Sequence, residues 1–272
     1  MDSLSTPARL LILDIDGLRQ DVYLSCLHKG SLPNLARLVG GPQAQNGIHV
    51  KAVTTAPSIT FCAQTTIFTG LQPDQHGIAG NQFFDRFGET NQGNHRFYAL
   101  DIGDTLAVKD AVEVFMGNGL LSQILSPAQP TLYERAARHG MTSVVAYHML
   151  ARGCTHWIRP NLLDIARFTK GGGLIGLSAE AYDKSMLDKL LETIQSEPAF
   201  QIICAYFMGL DHQSHQYGPQ IQADYLERVV DPQIGRLMET LEERDELIGT
   251  LVVVVSDHGQ IRVSRMIVIL CA

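Results

Sequence analysis

The apolar positions of the chain fall into two patterns. Leu10-Leu11-Ile12-Leu13-Asp14-Ile15, Ser143-Val144-Val145-Ala146-Tyr147, Ile202-Ile203-Cys204-Ala205-Tyr206-Phe207 and Thr250-Leu251-Val252-Val253-Val254-Val255 are short, continuous and rich in β-branched residues. Runs without alternation are what strands buried on both faces of a parallel sheet require. Between them apolar residues recur at helical spacing. Pro130 to His139 is one such stretch, and it closes on Gly140, a residue suited to the left-handed position after a helix. Ser178 to Ser196 carries a stripe through Met186, Leu187, Leu190, Leu191 and Ile194, and Ala223 to Leu247 reads as one long amphipathic helix. Strands alternating with helices predict an α/β fold, a doubly wound, mostly parallel sheet flanked by helices. Residues 77–126 depart from the pattern. They are rich in Gly, Asn and aromatics at first and weakly periodic, which predicts a small irregular cap excursion over the sheet edge.

Composition narrows the picture. The 272 residues can bury a sizeable core as a single domain, with 45% hydrophobic and 18% charged residues and no low-complexity run. A formal net charge of −7 argues against a nucleic-acid polymer as partner but not against a small anion, since metal ions can supply positive charge locally. Five scattered cysteines without a CxxC pair read as reduced thiols. With no signal-peptide pattern after Met1 and no apolar run long enough for a bilayer, the expectation is a cytoplasmic protein away from the membrane.

Open α/β sheets bind ligands beyond the carboxyl ends of their strands, and polar clusters stand at three such ends. Asp16 follows the first strand before a glycine. Asp211 and His215 stand four residues apart after the third, so on a helix they would share a face, as two ligands of one ion require. Asp257 and His258 follow the last strand directly. Carboxylate and imidazole delivered together suit a hard or borderline divalent cation. Taken singly, each also reads as a capped turn or a solvated loop, but all three in one chain favour a metal site. A nucleophile is available from the stretch Ala56 to Gly70, where a hydroxyl at a helix start could attack phosphorus while backbone N–H groups hold the phosphoryl oxygens. Ser58, Thr60, Thr65, Thr66 and Thr69 all qualify, and each could equally be a helix cap.

The residues together resemble the alkaline phosphatase superfamily, and within it the nucleotide pyrophosphatase/type I phosphodiesterase branch. Four segments carry the resemblance in order: Asp16-Gly17-Leu18-Arg19; Pro57-x-x-Thr60-Phe61 through Thr69-Gly70-Leu71-x-Pro73-x-x-His76-Gly77-Ile78; Asp211-x-x-x-His215-x-x-Gly218-Pro219; and Ser256-Asp257-His258-Gly259. The resemblance implies a metal-dependent hydrolase of phosphate esters or nucleotides, with two divalent ions of the zinc type as cofactors and Thr60 as a nucleophile that forms a phosphothreonine intermediate. It assigns Asp16, Thr60, Asp257 and His258 to one ion, and Asp211 and His215 to the other.

Two departures qualify what it implies. Where the branch has Phe-Pro-Asn, this chain has Phe61-Cys62-Ala63, so Gln64 or Asn81 would have to supply the amide contact to a phosphate oxygen. Family members also bring a further His to the second ion from beyond the Asp-His-Gly motif, whereas here 13 residues follow Gly259 and none is His. The expectation is a domain incomplete at its C-terminus. The alternative reading is therefore an impaired homologue that keeps one metal site as a binding or structural module. Sulfatases place Cys or Ser in a Cys-x-Pro-x-Arg pattern, which Cys62-Ala63-Gln64-Thr65-Thr66 does not match.

Overall fold

The computed structural model describes residues 8–101, 112–166 and 178–263. Five strands form the central sheet: β1 (Arg9–Ile15), β4 (Ser143–Ala146), β5 (His156–Ile158), β6 (Ile202–Phe207) and β7 (Thr250–Val255). Their order is β5-β4-β6-β1-β7, and every pairing in it is parallel. β2 (Gln82–Asp85) and β3 (Arg96–Ala99) make a separate antiparallel hairpin. The α/β fold expected from the apolar pattern is thus present.

Period-2 geometry divides β1 between two cores. Leu11, Leu13 and Ile15 face one cluster with Leu27, Leu35, Leu190, Leu237 and Leu241. These come from α1 (Gln20–Lys29), α2 (Pro33–Val39) and the helices Ala179–Ser196 and Asp231–Glu243. Ile12 faces the other cluster, with Phe61, Phe68, Leu121 and Tyr133. Asp14 and Asp16 share the parity of Ile12, so they face α3 (Thr60–Thr69).

Four local expectations are modified. The segment Ala223 to Leu247 is helical but interrupted: residues Leu226–Val230 form a π turn and the regular helix runs Asp231–Glu243. Pro232 has no N–H and its ring crowds the carbonyl four residues back, so the backbone widens there. Residues 82–99, expected to be irregular, hold the β2–β3 hairpin, with Tyr98 buried and its ring tilted against Phe83; residues 102–111 of the expected cap lie outside the described residues. β7 is not buried on both faces: as the edge strand of the sheet it leaves Leu251 51% and Val253 37% exposed, while Val255 at its end packs on the Ile12 cluster. Pro130–His139 shortens to Leu132–Ala137, started by a capping box in which Thr131 Oγ1 accepts from the Glu134 N–H and closed by Gly140 at φ +72°.

The sheet delivers the polar clusters to one edge. The β1 register pairs Ile15 with Phe207 and Asp14 with Val255, so three adjacent strands end level with one another. Asp16, the helix Gly209–Tyr217 and Asp257 therefore emerge side by side. The start of that helix is held from behind by Asp183, whose carboxylate accepts from the Gly209 N–H at 3.1 Å and the Tyr225 hydroxyl at 2.9 Å.

Burial pushes the Asp183 carboxyl up to about 7. The folded state therefore keeps a proton that the unfolded chain releases near pH 4. Stability from this group is present below pH 4 and is lost as pH rises from 4 to 7, by at most about 1.4 kcal/mol per pH unit. Asp183→Asn should flatten that segment of the stability–pH curve, measured by urea denaturation of both proteins from pH 4 to 8; parallel curves would refute the assignment.

Candidate active site

Asp16, Thr60, Asp257 and His258 meet at the end of β1. His258 Nε2 stands 3.1 Å from Thr60 Oγ1, 3.5 Å from Asp16 Oδ1 and 3.6 Å from Asp257 Oδ2. The ligand atoms of Asp16, Asp257 and His258 all lie within 4.8 Å of one another, the one group of three metal-ligating side chains found among the described residues. Both carboxylates are buried.

Each carboxylate is held by one oxygen. Asp257 Oδ1 accepts from the N–H groups of Gly17 (3.2 Å) and His258 (2.8 Å). Asp16 Oδ2 accepts from the Tyr206 hydroxyl. The other oxygens, Asp16 Oδ1 and Asp257 Oδ2, are buried and have no hydrogen-bond partner. These two are the oxygens turned toward His258 Nε2. Ligands of a tetrahedral zinc-like ion, each about 2.1 Å from it, stand roughly 3.4 Å apart, so the spacing here fits one divalent cation. Electrostatics point the same way: burial first, then the charges of Asp257 and Asp211, push the Asp16 carboxyl well above the usual carboxylate range.

Hydroxyl accounting separates the nucleophile candidates. Thr65 and Thr69 donate to carbonyls four residues back within α3, and Thr66 is bonded to His76 Nε2. The Ile78 N–H occupies His76 Nδ1, so His76 Nε2 carries the hydrogen and Thr66 accepts. Ser58 is exposed ahead of the helix. Thr60 is the first helical residue, and the N-cap position before it, Ile59, makes no side-chain cap. Its hydroxyl meets His258 instead. The capping need is met from outside, by Asn81 Oδ1 accepting from the Phe61 N–H at 3.0 Å. Asn81 thus sits against the amide that follows Thr60.

Gln64 requires a correction. Its carboxamide lies in the core, not beside Thr60: Nε2 donates to Asp14 Oδ1 at 3.3 Å and Oε1 stands 3.0 Å from His148 Nε2. Four residues beyond Thr60, it lies on the inner face of α3 that packs on β1. That network also removes His148 as a metal ligand. Burial lowers its pKa to about 4 and the Leu150 N–H donates to its Nδ1.

Asp211 and His215 lie one turn apart on the helix Gly209–Tyr217, with His215 Nε2 3.4 Å from Asp211 Oδ2. The His215 side chain is 72% exposed. His156 is exposed on β5, and the His212 pKa is lowered by burial and by neighbouring His215; among the described residues neither completes a group of three ligand atoms with Asp211 and His215. Gly17 links the two halves of the site. At φ +71°, a Cβ there would stand 2.6 Å from Asp211 Oδ1 and 3.3 Å from its backbone Cα, so only glycine lets the Asp16 turn touch the Asp211 helix. The Gly17 carbonyl accepts from Gln222 Nε2 at 2.8 Å. Sequence reading missed three supports: Tyr206, a polar tip inside an apolar run; Gln222; and Gln260, which bonds Asp211.

Residues 10–270 match the family described as type I phosphodiesterase / nucleotide pyrophosphatase. Among curated proteins the chain is 26% identical to an uncharacterised pyrophosphatase/phosphodiesterase of Schizosaccharomyces pombe, over 92% of this chain and 44% of that protein. It is 23% identical to the bis(5'-adenosyl)-triphosphatase ENPP4 of Pongo abelii, over 97% of this chain and 50% of that protein. The chain thus spans about half the length of these relatives. Its fold is similar to that of murine ectonucleotide pyrophosphatase / phosphodiesterase 5, with a TM-score of 0.66 at 19% identity, covering 92% of this chain and 57% of that one. An inactive form of that murine protein is known in complex with AMP, and aligns equally well.

Two results should follow for Asp257→Asn. In metal-free protein at pH 8 the melting temperature should rise, because the charge acting most strongly on buried Asp16 is gone. Zinc at a hundred times its Kd should raise the melting temperature of the unaltered chain by roughly 5–10 °C and that of the variant by much less. An equal zinc response in both proteins would exclude Asp257 as a ligand.

Proposed function

Because the chain belongs to the type I phosphodiesterase / nucleotide pyrophosphatase family, we propose that it hydrolyses small phosphate esters or nucleotides through a phosphothreonine formed on Thr60. The observation that carries this reading is the Thr60 hydroxyl at the start of α3, 3.1 Å from His258 Nε2 and beside two buried carboxylate oxygens without partners. The names of the relatives, a bis(5'-adenosyl)-triphosphatase among them, support a nucleotide-like substrate.

Asp16, Asp257 and His258 would hold one divalent ion, and Asp211 and His215 a second; such ions, when bound, lower the pKa of a coordinated hydroxyl and neutralise charge on the phosphoryl oxygens. Thr60 Oγ attacks phosphorus, the bond from phosphorus to the leaving oxygen breaks, and the hydroxyl proton passes by way of solvent to the departing group. Water then attacks the same phosphorus, freeing Thr60 and releasing the phosphate product. The N-terminal turn of α3 favours negative charge on the transferred group, and Asn81, anchored at the Phe61 amide, is the side chain placed to contact it. Positioning and charge neutralisation are what phosphoryl transfer chiefly asks of a protein.

A one-ion binding module is the competing reading. It draws support from the second cluster, where a carboxylate and a largely exposed imidazole stand without a third His or acid among the described residues.

The test is hydrolysis of bis(p-nitrophenyl) phosphate and of a dinucleotide by zinc-loaded protein. Thr60→Ala should lose at least about 10³-fold in kcat/KM while keeping its circular dichroism and zinc content. Full turnover by that variant removes Thr60 as nucleophile; absence of turnover by the unaltered chain, with zinc bound, favours the binding module.

A further inference from the structure

We propose that the Tyr206 hydroxyl sets the ion preference of the Asp16 group: by occupying Asp16 Oδ2 it limits that carboxylate to one ligand atom and selects a small four-coordinate ion. This rests on the reading of Asp16, Asp257 and His258 as a metal group, and adds the residue that decides which ion they favour. Asp16 is buried and its Oδ2 accepts from the Tyr206 hydroxyl. Its Oδ1 is left without a partner, 3.5 Å from His258 Nε2. Asp257 repeats the pattern. Its Oδ1 takes the Gly17 and His258 N–H groups, and its Oδ2 is left 3.6 Å from the same nitrogen. With Thr60 Oγ1 3.1 Å from that nitrogen, the group offers an ion four single atoms.

Strand register brings the phenol to Asp16. Tyr206 on β6 is paired with Asp14 on β1, and side chains of paired residues leave the sheet on the same face. Asp16 is the next β1 residue on that face, and the length of the tyrosine ring spans the step from Asp14 to Asp16. The ring is fully buried, and His148 backs it edge-on, with centroids 5.0 Å apart and planes at 76°. His148 is itself fixed: Gln64 Oε1 stands 3.0 Å from its Nε2, and the Leu150 N–H donates to its Nδ1 at 3.0 Å. The phenol therefore cannot swing away from Asp16 without disturbing this network. A buried histidine that the proposed reaction does not use thus has a task, which is to hold the tyrosine in place.

The number of ligand atoms separates the candidate ions. Zinc favours four ligands. Ions such as Ca2+ and Mn2+ favour six or more, mostly oxygens, and Ca2+ takes carboxylates through one oxygen or both. With Oδ2 free, a turn of the Asp16 carboxylate would put both its oxygens on an ion and raise the count above four. The hydrogen bond from Tyr206 opposes that turn, because it must break before Oδ2 can reach the ion. It therefore penalises the higher coordination and leaves the four-coordinate arrangement untouched. On Asp257 two backbone N–H groups have the same effect, so Tyr206 is the side chain through which the preference is tuned. A hydroxyl that merely satisfied a buried carboxylate would support every ion alike.

The experiment is calorimetric titration of metal-free protein with Zn2+ and, separately, Mn2+, with and without Tyr206→Phe. Both proteins carry His215→Ala, so that the Asp16 group is read by itself, and circular dichroism verifies folding. Tyr206→Phe should weaken Zn2+ by about tenfold or more and leave Mn2+ unchanged or tighter. A parallel loss for both ions, or an unchanged zinc affinity, means that the hydroxyl only satisfies a buried carboxylate, and the proposal fails. Co2+ supplies a check that does not depend on the folding of Tyr206→Phe. In the protein that keeps Tyr206, its visible absorption should have the high intensity of a four-coordinate ion; the weak spectrum of a six-coordinate ion there overturns the proposal. No zinc bound by the wholly unaltered chain is a different failure, that of the metal reading itself.

Discussion

Three carboxylates, Asp16, Asp211 and Asp257, are brought together out of water at the end of the sheet, and much of what surrounds them serves to keep them there. Burial raises the cost of charge on Asp16 and on Asp211, and the charge of Asp257 raises it for both. A fold optimised only for stability would place apolar side chains at these strand ends. Here the protein instead fixes one oxygen of Asp16 through Tyr206 and one of Asp257 through two backbone N–H groups, and leaves their second oxygens turned inward without a partner. Buried polar atoms without partners are rare in folded proteins and call for an explanation. A divalent cation is the simplest group that would satisfy both oxygens and relieve the repulsion.

The parallel sheet makes that crowding possible. Parallel strands with level ends send three consecutive loops in the same direction, so residues more than 200 positions apart in sequence become neighbours. β6 and β7 flank β1, which puts Asp16 at the middle of the three. Gly17 then allows the Asp16 turn to lie against Asp211 without a Cβ between them. Thr60, the proposed nucleophile, arrives from the opposite side, on a helix whose inner face is tied to β1 through Gln64 and Asp14. Asp14 is buried and its pKa is raised well above the usual carboxylate range, chiefly by burial. Protonated, it can bond Gln64 and lie close to neutral His148 without adding charge beneath the site.

How much of this could be read from the sequence depended on how local each signal was. β1, β6 and β7 were legible because four to six successive apolar residues leave no other economical structure. β5 was not: His156-Trp157-Ile158 is three residues long, begins with an exposed His and has no period to detect. The β2–β3 hairpin was missed because Gln82–Asp85 has only two apolar residues and its pairing with Arg96–Ala99 spans a ten-residue loop. Pro232 was visible, but its widening of the helix is a backbone response that the apolar stripe conceals. Within the site, the Asp and His residues stood out because acids and imidazoles directly after buried strands are costly to place without a purpose. Choosing among five hydroxyls was beyond the pattern alone, since the choice turns on which threonines already bond within α3 or to His76. Gln64 misled for a related reason: closeness to Thr60 in sequence becomes, one helical turn later, a side chain aimed into the core.

The two halves of the site differ in how self-contained they are. The group at Asp16 draws its side chains from two adjacent strand ends, with both carboxylates buried, so its geometry is set by the sheet itself. The group at Asp211 hangs from a single helix, one of its side chains is largely in solvent, and its remaining neighbour comes from Gln260, past the last strand. The first group is therefore a property of the fold, whereas the second depends on the chain that follows β7.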